Sequence, residues 1–300
     1  MEGNYLKFIR YRDQEQIQGA LIDQHNLIYN IPFNNYVEFY YTLKKGSLTV
    51  EEFIKNNGLE PIEKQIDEIE LLIPIVPDEV WASGVTYLKS KEARNYEATN
   101  GELDRETFYD KVYDAPRPEL FLKSTGRRVV GPNSEVFIRS DSNWQIPEPE
   151  LTLILGEGRD IIGYTLGNDM SCRDIEGENP LYLPQAKVWK NSCSIGPAIL
   201  IPESVEDPYS IDLTCRIYRN GELVFEGNAV TSQLKRKLEE LVDYLVFDND
   251  LLPGTALMTG TCIVPPNDFT LQLHDHIEII STQIGSLKNE VNINDLVVKG

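Results

Sequence analysis

The feature that most constrains this chain is the shortness of its apolar runs beyond Pro118. They fall at 127–130, 151–155, 161–166, 211–218 and 277–280, and Gly, Pro or Asn punctuates them. Runs of that length bounded by turn residues read as strands. One helix interrupts them: Leu234, Leu238, Leu241, Val242 and Leu245 recur at helical spacing, and Thr231-Ser232 supplies a predicted cap. Many strands with few, segregated helices predict an α+β fold in place of alternating βαβ units. None of the runs approaches the roughly 18 residues that a membrane-crossing helix needs.

The first part of the chain has a different texture. Residues 5–29 alternate in short runs broken at Gly19 and Asn26, which predicts a strand meander. Thr49 and Glu52 form a capping box ahead of Val50, Phe53 and Ile54, so a short helix is expected over 50–57, ended by Gly58. The two prolines of 71–77 suit an extended connector. These signals predict a small N-terminal α/β domain over 1–75 and a β-rich domain over 76–300. Residues 86–114, charged and Tyr-bearing between apolar neighbours, are expected to be an active-site lid or a surface loop.

Charge narrows the partners. With 28 basic against 48 acidic side chains the net charge is −20, which repels phosphate backbones and anionic lipid surfaces. No nucleic acid and no membrane partner is therefore expected. The start of the chain lacks a basic, apolar and small-residue leader pattern, and the four cysteines, Cys172, Cys193, Cys215 and Cys262, form no C-x-x-C pair. A cytoplasmic protein with reduced, mostly buried thiols is the expectation.

The chemistry concentrates where carboxylates meet an apolar strand. Glu148 and Glu150 stand two residues apart ahead of 151–155, so both project from one strand face. A four-residue hairpin loop over 157–160 would pair Gly156 with Ile161 and set Asp169 opposite Glu148. Three converging carboxylates repel one another unless they take up protons or a cation. An all-oxygen set without nearby His or Cys selects a hard ion, Mg²⁺ first, with Mn²⁺ or Ca²⁺ on the same donors. A solvated acidic turn is the competing reading in a chain so rich in acids.

These segments resemble the fumarylacetoacetate hydrolase family. The resemblance lies in P-E-P-E-L at 147–151, G-Y-T-L-G-N-D at 163–169 and S-C-R-D-I at 171–175, matching in order and spacing. The run N-P-L-Y-L-P-Q-A-K at 179–187, R-P-E-L-F at 117–121 and W-A-S-G-V-T-Y at 81–87 are most similar to that family's 2-keto-3-deoxy-D-arabinonate dehydratase branch, and the resemblance covers residues 80–265. It implies a β-rich catalytic domain, a homodimer or homotetramer, and Mg²⁺ held by Glu148, Glu150 and Asp169. It also implies a 2-keto acid substrate chelated through its carboxylate and ketone oxygens, Lys187 as the base at carbon 3 of a metal-stabilised enolate, and Glu119 as the acid at carbon 4. Ser83, Gly84 and Thr261 are implied to line the substrate pocket. Arg173 either orients a substrate oxygen or pairs with Asp169, Asp174 or Glu176.

Physical chemistry sets conditions on the two proton carriers. Lys187 must have its pKa lowered, by desolvation and a nearby cation, whereas Glu119 needs apolar neighbours such as Leu120 and Phe121 to raise its own. No histidine occurs over 83–123, which favours dehydration over an imidazole-assisted carbon–carbon hydrolysis of an acylpyruvate or fumarylacetoacetate. Glu176 stands where many of the hydrolases have Gln. A catalytically silent binding module on the same fold is the remaining alternative. Weaker signals are set aside: His274 and His276 lack a third ligand and fit an exposed hairpin start, Gly156 and Gly158 lack the third glycine of a dinucleotide loop, and neither Cys172 nor Cys193 has a histidine beside it.

Overall fold

The computed structural model describes residues 5–99 and 108–294. Its main sheet has 11 strands, of which nine run in the order Ile28–Ile31, Gln16–Ile22, Lys7–Asp13, Cys193–Leu200, Ile161–Asp169, Pro149–Leu155, Ala256–Thr261, Glu79–Gly84 and Glu119–Thr125. Glu70–Leu72 and Val129–Val130 pair beside this path. A second sheet of five strands runs Glu222–Val230, Asp212–Arg219, His276–Ser281, Gly285–Ile293 and Glu135–Ile138. The architecture is α+β with strands predominating, as the short runs predict.

Strand alternation explains why Pro149–Leu155 is apolar at nearly every position. Leu151, Leu153 and Leu155 pack toward the second sheet with Leu213, Ile217, Ile277 and Leu287. Ile154, on the opposite face, packs with Ile162, Ile199 and Met258 beneath Tyr36, Phe39, Leu43, Val50 and Phe53. A sheet covered on both faces has no solvent side for polar residues to occupy.

The N-terminal strands belong to the same sheet as the motifs: Lys7 and Phe8 pair with Leu200 and Ile199, so the main sheet crosses the boundary expected at 75/76. The expected helix over 50–57 is Val50–Asn56, with the Thr49 and Glu52 bonds of a capping box in place. Gly19 lies inside Gln16–Ile22, and the first turn falls instead at Gln14, whose φ is 56°. A helix at Tyr36–Gly46 was not among the expected elements; Asn35 caps it, accepting from the amides of Val37 and Glu38 at 2.9 and 3.3 Å. The C-terminal helix begins later than expected, at Leu238–Val246, because Thr231–Gln233 forms a separate 3₁₀ turn. The Thr231 hydroxyl donates to Pro208 O at 2.8 Å and is not that helix's cap.

Candidate metal centre and active site

Antiparallel pairing gathers the ends of five adjacent strands. Pro149–Leu155 starts where Ile161–Asp169 and Ala256–Thr261 end; Glu79–Gly84, parallel to Ala256–Thr261, ends beside the start of Glu119–Thr125. Glu148, Glu150, Asp169, Thr261, Ser83, Gly84 and Glu119 thereby come to one edge of the sheet. Over this edge lie the helices Leu88–Thr99, Arg173–Glu178 and Leu183–Lys187.

The hairpin register at the open end is the expected one: Pro149 pairs with Asn168, and the Asp169 amide donates to Glu148 O at 2.9 Å. Near the loop it slips, since Leu155, not Gly156, pairs with Ile161 across an irregularity at Ile154/Leu155. Such a bulge absorbs one residue without disturbing the far end. Glu148, Glu150 and Asp169 each offer a carboxylate oxygen within 4.8 Å of the others, and all three are buried.

The trio sits among buried cations. Lys187 Nζ donates to Glu148, to Asp169 Oδ2 at 3.2 Å and to Ser171 Oγ at 2.5 Å. Arg173 Nη2 lies 2.5 Å from Glu148 Oε1. Burial works against ionisation of Glu148, but Lys187, Arg173 and Arg94 outweigh it and hold that carboxyl well below the usual range. Glu150 behaves oppositely. Burial and the neighbouring Asp169 and Glu148 push it well above the ordinary value, against the Gly260 N–H at 2.6 Å and the charge of Lys187. A buried all-oxygen trio with one carboxyl forced toward its protonated form fits a hard divalent cation, which would remove that conflict.

Lys187 departs from expectation. Burial does oppose its charge, yet Asp169, Glu148 and Glu176 together raise its pKa above the ordinary lysine value. The carboxylates that keep it charged are the ones that would hold a cation. Glu119 meets its condition: burial is the largest influence and raises the carboxyl, with Arg94 and Lys187 opposing and Glu176 and Glu148 reinforcing. Glu119 pairs with Gly84, where a Cβ would lie 2.0 Å from Glu119 Oε2, so only glycine admits the carboxyl there. Among the described residues, Ser83 Oγ and Glu119 Oε2 are buried with no hydrogen-bond partner.

Other residues take different partners from those expected. Arg173 clamps Glu148 and is 1% exposed, while Asp174 is held by Ser142 Oγ at 2.6 Å and the Asn143 amide at 2.7 Å. Thr261 stands opposite Glu150, its hydroxyl engaged in a local turn with Ile263 N and O at 3.2 Å. The next residue back, Gly260, has φ of 96°, and a Cβ there would meet Thr86 Oγ1 at 1.9 Å. All four cysteines are free and buried; burial pushes Cys172 and Cys193 up to about 12, unsuited to nucleophilic work. His274, at a positive φ of 66°, bonds Glu290 at the edge of the second sheet.

Two further charged residues escaped the sequence reading. Lys123, fully buried, lies 2.6 Å from Asp169 Oδ1 and donates to the carbonyls of Met170 at 2.7 Å and Lys187 at 2.5 Å. One ammonium thus braces a candidate metal ligand and the backbone of the candidate base. Arg94, on the inward face of Leu88–Thr99, pairs with Glu176 at 2.9 Å. Part of the expected lid, including residues 100–107, lies outside the described residues.

Comparison with known proteins places this geometry. The model of the fumarylacetoacetate (FAA) hydrolase C-terminal family matches residues 90–292. A 2-dehydro-3-deoxy-D-arabinonate dehydratase of Saccharolobus solfataricus is 45% identical over 223 residues, 74% of each chain. A probable 2-keto-3-deoxyxylonate dehydratase of Haloferax volcanii is 45% identical over 219 residues, 73% of this chain and 74% of the relative. A solved 2-keto-3-deoxy-D-arabinonate dehydratase, complexed with magnesium and 2,5-dioxopentanoate, superposes with a TM-score of 0.80 at 35% identity, covering 96% of this chain and 99% of that one.

Proposed function

The chain belongs to the fumarylacetoacetate hydrolase family, and from that premise we propose that it is a hydro-lyase that dehydrates a 2-keto-3-deoxy sugar acid with Mg²⁺. The substrate in this reading is 2-keto-3-deoxy-D-arabinonate and the product 2,5-dioxopentanoate, as the similarity to the dehydratases supports. The observation that carries it is the pairing of two opposite environments: Lys187 against the acidic trio, and beside it Glu119, a carboxyl raised by burial.

In this reading Glu148, Glu150 and Asp169 hold the ion, and Mn²⁺ or Ca²⁺ suits the same oxygens. Bound there, the cation supplies positive charge against the carboxylate and ketone oxygens of a keto acid. With the cation on Glu148 and Asp169, those carboxylates would no longer hold the proton on Lys187, and its Nζ, once neutral, would take the proton from carbon 3. Glu119, whose surroundings favour its protonated form, gives its proton to the hydroxyl on carbon 4, which leaves as water; a proton then passes from carbon 5 to carbon 3, and the enol left across carbons 4 and 5 ketonises to the aldehyde. Arg173 and Lys123 hold Glu148, Asp169 and the Lys187 backbone in place. Ser83 and Gly84 line the pocket beside Glu119, and Thr261 lines it beside Glu150. The resemblance also supports a homodimer or homotetramer.

The chain's three histidines, His25, His274 and His276, all lie outside the segment over 83–123. A site without a lid imidazole is poorly equipped to activate water, which favours elimination over hydrolysis of acylpyruvates. The test is a panel of 2-keto-3-deoxy-D-arabinonate, acetylpyruvate and fumarylacetoacetate, each with Mg²⁺ and with chelator. Semialdehyde release that needs Mg²⁺ is expected. Cleavage of an acylpyruvate at an equal or higher rate would overturn the reading in favour of a hydrolase; Mg²⁺ binding without any turnover would leave a binding module.

A further inference from the structure

A cavity of about 460 Å³ lies between the N-terminal strands and the second sheet, and none of the candidate site residues lines it. Its volume falls within the range of about 300 to 1,000 Å³ typical of small-molecule sites. Strand alternation makes most of its wall. Lys7 leaves the same face of Lys7–Asp13 as Ile9, which packs with Ile22 and Ala198, and Ile69 and Leu71 pack against that cluster. Ile284, from the turn between His276–Ser281 and Gly285–Ile293, closes the side toward the second sheet.

One ammonium stands in this apolar wall without an answering charge. Lys7 is half-buried and makes no hydrogen bond or ion pair among the described residues. Burial alone depresses its pKa, with no carboxylate opposing it. The fully buried lysines are built differently, since Lys123 and Lys187 both meet Asp169. The other charges at the cavity are engaged elsewhere or open to water: Lys288 pairs with Glu278 at 3.0 Å, and Asp67 is exposed on the turn Ile66–Glu68. An ammonium drawn out of water is costly until an anion completes it. A carboxylate supplies the charge and the acceptors, and aliphatic carbons behind it would displace water from the Ile and Leu walls. We propose that this cavity is a second ligand site, separate from the metal centre, which takes a monocarboxylate with a short aliphatic tail, its head on Lys7 Nζ and its tail against Ile9, Ile22, Leu71 and Ile284.

The inference does not depend on the dehydratase reading, and its test needs no turnover. Hexanoate and hexan-1-ol share a tail and differ in charge; each is titrated into wild type, Lys7→Met and Lys7→Arg, with Mg²⁺ and with chelator, and binding is read from the ligand's own NMR signals. Wild type is expected to bind hexanoate equally well in both conditions, and hexan-1-ol about tenfold or more weakly. Lys7→Met keeps the aliphatic stem and removes the charge, so it should weaken hexanoate about 10- to 100-fold, the scale of one hydrogen bond to a charged group, and leave hexan-1-ol within twofold. Lys7→Arg, which retains the charge, should retain most of the hexanoate affinity. Lys7→Met should also melt at or above the wild-type temperature, since it removes an uncompensated charge, and that separates a lost ligand contact from a lost fold. Absence of hexanoate binding to wild type, an unchanged affinity in Lys7→Met, or binding that chelator abolishes, which would place the ligand at the metal centre, each overturns the proposal.

Discussion

The two ends of the hairpin built from Pro149–Leu155 and Ile161–Asp169 carry the same kind of charge under opposite conditions. At the closed end Asp160 meets Lys44 at 2.5 Å, with side chains 42% and 54% exposed, and the Glu157 amide donates to Tyr41 Oη. At the open end Glu148, Glu150 and Asp169 are buried and face Lys187, Lys123 and Arg173. Water screens the first pair, so its partner contributes little. Burial strengthens every interaction in the second group, and a charge left without compensation there is costly. Glu150 is the informative member: it accepts from the Gly260 amide, and it is the carboxyl driven toward protonation. The comparison teaches that burial, not the number of carboxylates, sets the open end apart: there Glu150 is opposed to ionisation as no exposed acid of the closed end is.

The largest effect that can sharpen this contrast comes from removing the proposed metal ligands. Glu148→Ala, Glu150→Ala and Asp169→Ala are each expected to abolish turnover through loss of Mg²⁺, measured by calorimetric titration. Metal-free Glu150→Gln should melt at or above the wild-type temperature, because it removes the carboxyl most opposed to ionisation. Wild-type Mg²⁺ affinity in all three alanine variants would break the assignment of the trio.

A smaller loss separates the two proposed proton carriers, which face different parts of the same site. In heavy water, Glu119→Gln is expected to exchange the carbon 3 hydrogens of bound substrate while releasing little product. Lys187→Met should do neither, yet still bind Mg²⁺. Each variant should lose about 10² to 10⁴ in kcat, the usual scale for one positioned acid or base. Deuterium exchange at the wild-type rate in Lys187→Met removes Lys187 as the base, and normal turnover by Glu119→Gln removes Glu119 as the acid.

The smallest effect belongs to the closed end. Lys44→Ala breaks an exposed ion pair, so its melting temperature should stay within about 2 °C of wild type and its Mg²⁺ affinity unchanged. A loss of Mg²⁺ affinity in that variant would mean that the two ends of the hairpin are coupled, against the contrast drawn here.

Local periodicity determined much of this protein. Short bounded runs read as strands, two acids at spacing two share a face, and a four-residue loop predicts the register that brings Asp169 to Glu148. Those relations hold within some twenty residues of chain, where backbone geometry leaves few alternatives. The bulge near Ile161 was not legible, because packing decides it, whereas the helix at Tyr36–Gly46 carried a local signal, Asn35 three residues before Glu38 and Tyr36, Phe39 and Leu43 at helical spacing, that the reading passed over. The compensating charges were legible only in part. Arg173 and Lys187 stand out in motifs, but that Arg173 clamps Glu148 depends on how Arg173–Glu178 seats against the sheet. Lys123 and Arg94 look like ordinary surface residues in the sequence. Strand order sets Glu119–Thr125 beside Glu79–Gly84, and the helix Leu88–Thr99 turns Arg94 inward, so only the tertiary structure brings them to Asp169 and Glu176. The physical reason is that a buried charge takes its partner from whichever segment packs beside it, and sequence separation carries no information about that choice.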